Sequence, residues 1–448
     1  MGRLFGTDGV RGLAGKELTA SLALELGEAA ARVLTTNRRP GTRPKAIIGR
    51  DTRVSGELLG DAVAAGLASA GVDVQHVSII PTPGIAYLTQ SLNVDLGVVI
   101  SASHNPMPDN GIKFFARGGH KLDDALEEKI EKILGTSWDR PTGASVGRVG
   151  YSGDSADSSY IRHLSRSIDT SLQGLRIGLD CANGATSIVA PEAFTQAGAD
   201  VHVINAQPDG YNINDNCGST HPEQLQKYVV ENKLDCGFAF DGDADRCLAV
   251  DHEGNLIDGD YIMGILALSM HQRGRLAHDT LVVTVMSNLG LLLAMKEHNI
   301  STVQASVGDR YVLENMLHGG FTLGGEQSGH IINLNHATTG DGTLTGLTLA
   351  AEIARSGKSL QELSQFMRKL PQTLVNVGGV DKTRVDSSSP LQEAIKEVEK
   401  ELDGKGRVLL RPSGTEPLVR VMVEAPTQEL ADKSAELLAS IVKDELSL

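Results

Sequence analysis

Aromatic side chains are scarce in this chain, at 4% of 448 residues with a single tryptophan, so Leu, Val, Ile and Ala must supply most of the core packing. Cysteine is scarce too. The four present (Cys181, Cys217, Cys236, Cys247) show no CxxC spacing, which points to free thiols in a reduced compartment. No apolar run approaches the roughly 18 residues needed to span a bilayer. The N-terminal Met-Gly-Arg-Leu-Phe-Gly-Thr-Asp lacks a secretory apolar region, and the expected location is cytoplasmic. Positive charge is in deficit: 41 Lys and Arg against 56 Asp and Glu give a net charge of −15. That argues against broad binding of nucleic acid or anionic membrane. It leaves room for a small phosphorylated substrate in a local basic pocket. Low-complexity and coiled-coil stretches are absent.

Hydrophobic residues (40%) and charged residues (22%) are at ordinary globular levels, and the length suggests about three or four domains. Fifty glycines, many at predicted strand ends, fit loops whose backbone approaches a ligand closely. Apolar runs alternate with amphipathic stretches, the α/β signature. One unit recurs loosely three times. The first runs from the strand 45–51 through a helix over 58–71, a strand over 72–80 and a helix from Gly84 to the apolar run 96–100, and ends at Ser103. The second starts at 175–180, passes a helix over 189–198, a strand over 199–205 and a helix over 222–233, and ends with strand 235–240 at Asp241. The third starts at 280–286, passes a helix over 290–298, a strand over 300–306 and a helix over 310–317, and ends with strand 321–325 at Glu326. Each unit thus finishes a buried strand with a polar motif, and ligands of open α/β sheets gather beyond such carboxyl ends.

Composition sets the boundaries. Residues 135–158 are polar and glycine-rich and read as a linker. The pattern shifts near 251–260 and again near 370–380. The tail reads strand (373–377), helix (390–402), strand (407–410), strand (418–424), helix (428–443), a small α+β domain. The expected domains are 1–155, carrying the serine loop, 156–255, carrying a metal loop, 256–371, a sugar-binding domain, and 372–448, a phosphate-binding domain. The fold class is α/β: three similar mixed α/β sheet domains plus a smaller C-terminal α+β domain around a central cleft.

Four motifs carry chemistry. Ser103-His104-Asn105-Pro106 follows Leu-Gly-Val-Val-Ile, with Lys113 ten residues beyond the serine. A hydroxyl at the end of a buried strand with cations nearby suits a covalent phosphoryl carrier. Asp241-Gly-Asp243-Ala-Asp245-Arg246 alternates acids, and on extended backbone a period of two sends the carboxylates to one side. Three such anions repel unless a cation offsets them, and Mg²⁺ suits hard oxygen ligands. An EF-hand loop fails here because Arg246 and His252 occupy its sixth and twelfth positions. An aspartyl-nucleophile phosphatase is a poor fit to the third aspartate and the arginine, and an acidic surface turn is at odds with the apolar Phe-Ala-Phe before it. Arg246 either balances charge or holds a phosphoryl oxygen. Arg411-Pro-Ser413-Gly414-Thr415-Glu-Pro offers hydroxyls, backbone N–H groups and a guanidinium to an anion, with Arg420 close behind, though an ordinary turn reads similarly. Gly325-Glu326-Gln-Ser328-Gly-His330 offers groups that bind sugar hydroxyls and move a proton, a weak signal taken alone. Two further clusters are Phe5–Gly12, which could bring Arg11 to a phosphate, and Asn214–His221, a loop ahead of a helix.

In this order, along essentially the whole chain, these motifs resemble the α-D-phosphohexomutase family. FGTDGVRG (5–12), ISASHNP (100–106), DNGIKFF (109–115), CGSTH (217–221) and GGEQSGH (324–330) look like its bacterial branch acting on glucosamine phosphates. Met107-Pro108 departs from that branch, where aromatic residues are common at these positions.

The resemblance implies four domains around a cleft and reversible exchange of glucosamine 6-phosphate with glucosamine 1-phosphate, a step toward UDP-N-acetylglucosamine. By the family pattern Ser103 carries the phosphoryl group. Asp241, Asp243 and Asp245, with an oxygen on Ser103, hold one Mg²⁺ per active site, and Arg246 orients the phosphoryl group. Glucosamine 1,6-bisphosphate is the activating intermediate. Lys113 and His330 are candidates for proton transfer, assisted by Arg11. Glu326 and Ser328 grip the sugar, and Arg411, Ser413, Gly414, Thr415 and Arg420 hold the phosphate that is not reacting. The implied partner is a small sugar phosphate, with no nucleic acid or membrane, and an oligomer is compatible. Rival readings are a mutase for mannose or glucose phosphates, a Mg²⁺ phosphatase using Asp241 as nucleophile, and a non-catalytic sugar-phosphate binder.

Overall fold

A computed structural model describes residues 4–6, 8–36, 42–151, 155–412 and 418–448. Contacts divide the chain into two compact units, one of residues 1–286 and 299–365, the other of residues 287–298 and 366–448.

The larger unit contains three sheets built to one plan. In each, the first strand is central, the second pairs parallel on one side, the third parallel on the other, and a fourth runs antiparallel beyond the third. The first sheet uses Lys45–Arg50, Asp73–Ile79, Leu96–Ile100 and Asp109–Ala116 in this way. The second uses Arg176–Asp180, Asp200–Ile204, Cys236–Phe240 and Cys247–Asp251. The third uses Thr280–Thr284, Ser301–Ala305, Leu323–Gly325 and Ile331–Asn333. The expected threefold repeat is therefore present, with a fourth strand that the apolar pattern did not reveal. Every residue of Leu96–Ile100 and of Cys236–Phe240 is buried, as strands covered on both faces require.

Local chemistry sets the helix ends. The Thr19 hydroxyl accepts the Leu22 N–H at the start of Ala20–Leu34, and Asp341 accepts from Leu344 N at the start of Gly342–Ser356. Helices Ala20–Leu34 and Ser55–Ser69 pack with their backbones in contact. A β-carbon on Gly66 would lie 2.1 Å from the Leu24 carbonyl oxygen, and one on Gly27 2.5 Å from that of Val63.

Two sequence expectations are corrected. The stretch 135–158 is not only a linker: Val149–Tyr151 adds a parallel edge strand to the first sheet beside residues 74–76. The second concerns the aspartate run, which is a turn rather than extended backbone. Ala244 has φ 53° and its N–H donates to the Asp241 carbonyl at 3.0 Å.

In the smaller unit, Gln372–Gly378, Leu418–Glu424 and Arg407–Pro412 form an antiparallel sheet with Leu418–Glu424 central. Helices Ser389–Leu402 and Gln428–Leu446 complete it, over a core that includes Val419, Val421, Leu438 and Val442. This is the expected α+β domain. Helix Leu289–Glu297 clusters with it rather than with the strands that flank it in sequence, its first N–H bonded to the buried Glu424 carboxylate at 2.9 Å.

Among the described residues no helix is long and apolar enough to cross a membrane. All four cysteines are buried and unpaired.

Candidate active site

Ser103 follows the third strand of the first sheet, and Asp241 follows the third strand of the second. The two meet. Ser103 is buried and its Oγ–H donates to Asp241 Oδ2 at 2.5 Å. Its φ of 53° is left-handed, a conformation that costs a non-glycine residue about 1–2 kcal/mol. Gly242 makes the approach possible: a β-carbon there would stand 2.6 Å from the Ser103 carbonyl oxygen.

Oxygens of Asp241, Asp243 and Asp245 lie within 4.8 Å of one another, all buried. The turn at Ala244, not strand alternation, brings them together. Asp243 Oδ2 accepts from the Thr82 hydroxyl at 2.6 Å and from Lys113 Nζ at 2.8 Å. Asp243 Oδ1 and Asp245 Oδ1 are buried and accept no hydrogen bond. Burial, then the charges of Asp245 and Asp243, push Asp241 up to about 7. Orphaned carboxylate oxygens and mutual repulsion are what a hard divalent cation relieves, so the donor set fits Mg²⁺.

Lys113 stands on the antiparallel fourth strand, 2.6 Å from Asp8 and 3.8 Å from Asp245. Burial works against its charge, but Asp243 and Asp8 outweigh it and raise its pKa, so it is an ammonium. His330 is buried, with Nδ1 3.5 Å from Asp245 and Nε2 3.7 Å from Asp309. Burial disfavours its charged form, yet Asp245 and Asp309 raise its pKa above the ordinary value. Arg11 pairs with Asp8 at 2.7 Å. The Arg246 N–H donates to Asp241 Oδ1 at 3.2 Å, with Nε 3.9 Å from Asp245.

A cavity of about 400 Å³ opens beside this cluster, within the usual range for small-molecule sites. Arg11, Asp245, Arg246, Glu326, Ser328 and His330 line it, as does His104. Burial and the nearby Arg246 lower the His104 pKa to about 4, so its ring is neutral. Glu326 accepts the Gly308 N–H at 3.1 Å. Nine sequence candidates therefore gather with Ser103: Arg11, Lys113, Asp241, Asp243, Asp245, Arg246, Glu326, Ser328 and His330.

In the smaller unit Arg411 and Arg420 are direct cross-strand partners, and Asn376 faces Arg420 from the other side. Directly opposed residues share a face. Two guanidiniums in that relation repel one another unless an anion lies between them. Ser413, Gly414 and Thr415 lie outside the described residues.

Several residues at the site went unread in the sequence. Asp8 joins Arg11, Lys113 and Lys121. Lys121 also pairs with Asp309. Asn214, in the loop noted ahead of a helix, donates to the carbonyls of Ser103 (2.9 Å) and Asn105 (3.1 Å). Arg53 reaches the same two carbonyls. For these residues the signal is tertiary, since apart from the Asp8–Arg11 pair their partners lie tens of residues or more away. Only the FGTDGVRG stretch pointed toward Asp8.

Comparison with known proteins covers the whole chain. Family models described as phosphoglucomutase/phosphomannomutase α/β/α domains I, II and III match residues 2–139, 158–254 and 258–370, and the model of the C-terminal domain matches 374–441. The chain is 61% identical over 459 residues to a phosphoglucosamine mutase of Bifidobacterium adolescentis, covering 100% of both chains. A phosphoglucomutase/phosphomannomutase family protein of Burkholderia thailandensis is similar in structure, with TM-score 0.81, 23% identity and coverage of 100% of this chain and 99% of that one. An N-acetylphosphoglucosamine mutase of Aspergillus fumigatus, solved in complex with GlcNAc-6P and magnesium, gives TM-score 0.69 at 19% identity, covering 99% of this chain and 96% of that one.

Proposed function

This chain belongs to the phosphoglucomutase/phosphomannomutase family, and from that membership we propose that it interconverts glucosamine 6-phosphate and glucosamine 1-phosphate. The observation that carries the mechanism is the 2.5 Å contact between the Ser103 hydroxyl and Asp241 inside the acidic cluster. In the resting enzyme Ser103 bears a phosphoryl group. The P–Oγ bond breaks as a P–O bond forms to the free sugar hydroxyl, whose proton ends on the freed Ser103 Oγ; the return transfer moves one proton the other way. The product is glucosamine 1,6-bisphosphate. It turns over in the cavity and returns its other phosphoryl group to Ser103 Oγ.

Asp241, Asp243 and Asp245, with an oxygen on Ser103, would hold Mg²⁺, which supplies charge neutralisation to the transferring group. Arg246, with its N–H on Asp241, orients that group. Lys113, an ammonium among carboxylates, acts here as fixed positive charge rather than as a base. That leaves His330, at the cavity wall, as the better-placed proton carrier, with Arg11 assisting. Glu326 and Ser328 take sugar hydroxyls in either orientation. The Arg411–Arg420 pair, with Ser413, Gly414 and Thr415 of the same motif, takes the spectator phosphate. The setting is cytoplasmic, where these soluble sugar phosphates are found.

Intact-mass analysis before and after addition of glucosamine 1,6-bisphosphate tests the carrier. Whatever fraction of the wild-type protein starts unphosphorylated gains one phosphoryl group, and the group maps to Ser103. Ser103→Ala gains none and loses turnover while keeping a cooperative unfolding transition. Full activity in that variant refutes the mechanism.

A further inference from the structure

We propose that the buried pair Asp51–Arg53 is a positioning device that grips the Ser103 backbone at both its N–H and its C=O; this rests on the reading of Ser103 as phosphoryl carrier. Asp51 and Arg53 lie just beyond the first strand of the first sheet, and neither is exposed at all. Asp51 Oδ1 accepts the Arg53 N–H at 2.9 Å, and Oδ2 pairs with Arg53 Nη1. The same Oδ2 accepts the Ser101 hydroxyl at 2.6 Å, and Ser101 Oγ in turn accepts the Ser103 N–H at 2.9 Å. From the other side Arg53 Nη2 donates to the Ser103 carbonyl at 3.3 Å and the Asn105 carbonyl at 2.5 Å. One ion pair therefore holds both ends of the residue whose φ is 53°.

A serine does not rest in that conformation unaided. Its hydroxyl points at Asp241 because the backbone is turned. Asn214, from the second repeat, donates to the same two carbonyls and so ties the loop to the domain that supplies Asp241. The planar guanidinium is suited to this task because one fork reaches a carboxylate and two carbonyls, a geometry lysine cannot copy. Neither Asp51 nor Arg53 lines the cavity.

Ser101→Ala cuts the link from Asp51 to the Ser103 N–H and leaves the ion pair whole. Arg53→Lys keeps the charge and removes the fork. Phosphoryl uptake from glucosamine 1,6-bisphosphate is followed by intact mass against time, alongside kcat and KM for glucosamine 6-phosphate. In both variants uptake and kcat fall about tenfold while KM stays within twofold of wild type. A brace with a purely structural role lowers the melting midpoint without that split. Should Arg53→Lys not fold, Ser101→Ala decides alone. Uptake at the wild-type rate in the folded variants overturns the positioning role and leaves the carrier reading intact. A wild-type protein that carries no phosphoryl group at residue 103 either before or after the bisphosphate is added overturns the carrier reading and the positioning role with it.

Discussion

The turn at Ser103 and the turn at Glu326 occupy the same slot, after the third strand of the first and third repeats, yet they are held very differently. Ser103 is buried and its backbone is gripped by Ser101, Arg53 and Asn214, with Gly242 pressed against its carbonyl. Glu326 faces the cavity, and its turn is tied by backbone bonds rather than by gripping side chains: Gly259 N and Cys247 N donate to the Gln327 and Gly329 carbonyls, each at 3.0 Å. Glu326 N donates to the His330 carbonyl at 3.2 Å and Gly329 N to the Glu326 carbonyl at 3.3 Å, with a single bond from Gly308 to its carboxylate. A shared topology places a loop, but the side chains that reach it from neighbouring loops decide its stiffness. Phosphoryl transfer depends on placement to fractions of an ångström, whereas a sugar that binds in two orientations is served by a softer grip.

If stiffness at Ser103 is what matters, disturbing its neighbour without touching its chemistry should have the largest effect. Gly242→Ala drives a methyl group to within 2.6 Å of the Ser103 carbonyl oxygen and 2.8 Å of Asn214 Nδ2. The expected cost is about 2 kcal/mol of stability. The expected fall in kcat is about 100-fold, the scale of a misplacement near 1 Å. Denaturant unfolding and steady-state kinetics check both. Wild-type kcat in a folded Gly242→Ala protein would break the comparison.

The softer turn predicts a smaller effect of a different kind. Glu326→Gln keeps the shape and the acceptor for Gly308 N but removes the charge. KM for glucosamine 6-phosphate rises about tenfold, the scale of one lost charge-assisted hydrogen bond. kcat stays within about threefold and the melting midpoint is unchanged. A fall in kcat with constant KM would place Glu326 with Ser103 rather than opposite it.

The contrast also separates what the sequence disclosed from what it hid. The strands were legible because Leu-Gly-Val-Val-Ile and Cys-Gly-Phe-Ala-Phe are apolar runs ending in polar clusters, and their repetition exposed the plan. The fourth strands escaped notice because Ile331–Asn333 is only three residues long and Asp109–Ala116 mixes lysine and aspartate with apolar residues. The aspartate turn was misread because period-two acids suggest extended backbone, and nothing about an alanine announces a positive φ at 244. Asp241, Asp243 and Asp245 could still be found, since repulsion among close carboxylates depends on spacing alone. The groups that stiffen Ser103 could not: Arg53 and Asn214 lie 50 and 111 residues from it in sequence and only the folded chain joins them.

The third repeat has a tie of its own, and it sharpens the comparison at the smallest expected cost to turnover. The Tyr160 hydroxyl donates at 2.7 Å to Asp341, which also caps helix Gly342–Ser356. Burial pushes the Asp341 carboxyl up to about 6, against the lowering effect of bonds from Leu344 N and Tyr160. A carboxyl whose folded pKa exceeds its unfolded value near 3.8 binds more protons when folded. Its contribution is thus fully present below that value and is lost as pH rises through about 6. Asn caps helices as well as Asp and carries no charge to bury. Asp341→Asn should match wild-type stability near pH 4 and exceed it above pH 6, by on the order of 1–3 kcal/mol. Because neither Asp341 nor Tyr160 lines the cavity, kcat should change less than twofold. Denaturant midpoints of both proteins measured across pH 4–8 decide the matter: a difference constant with pH would mean that Asp341 is ionised in the folded protein as readily as in the unfolded chain.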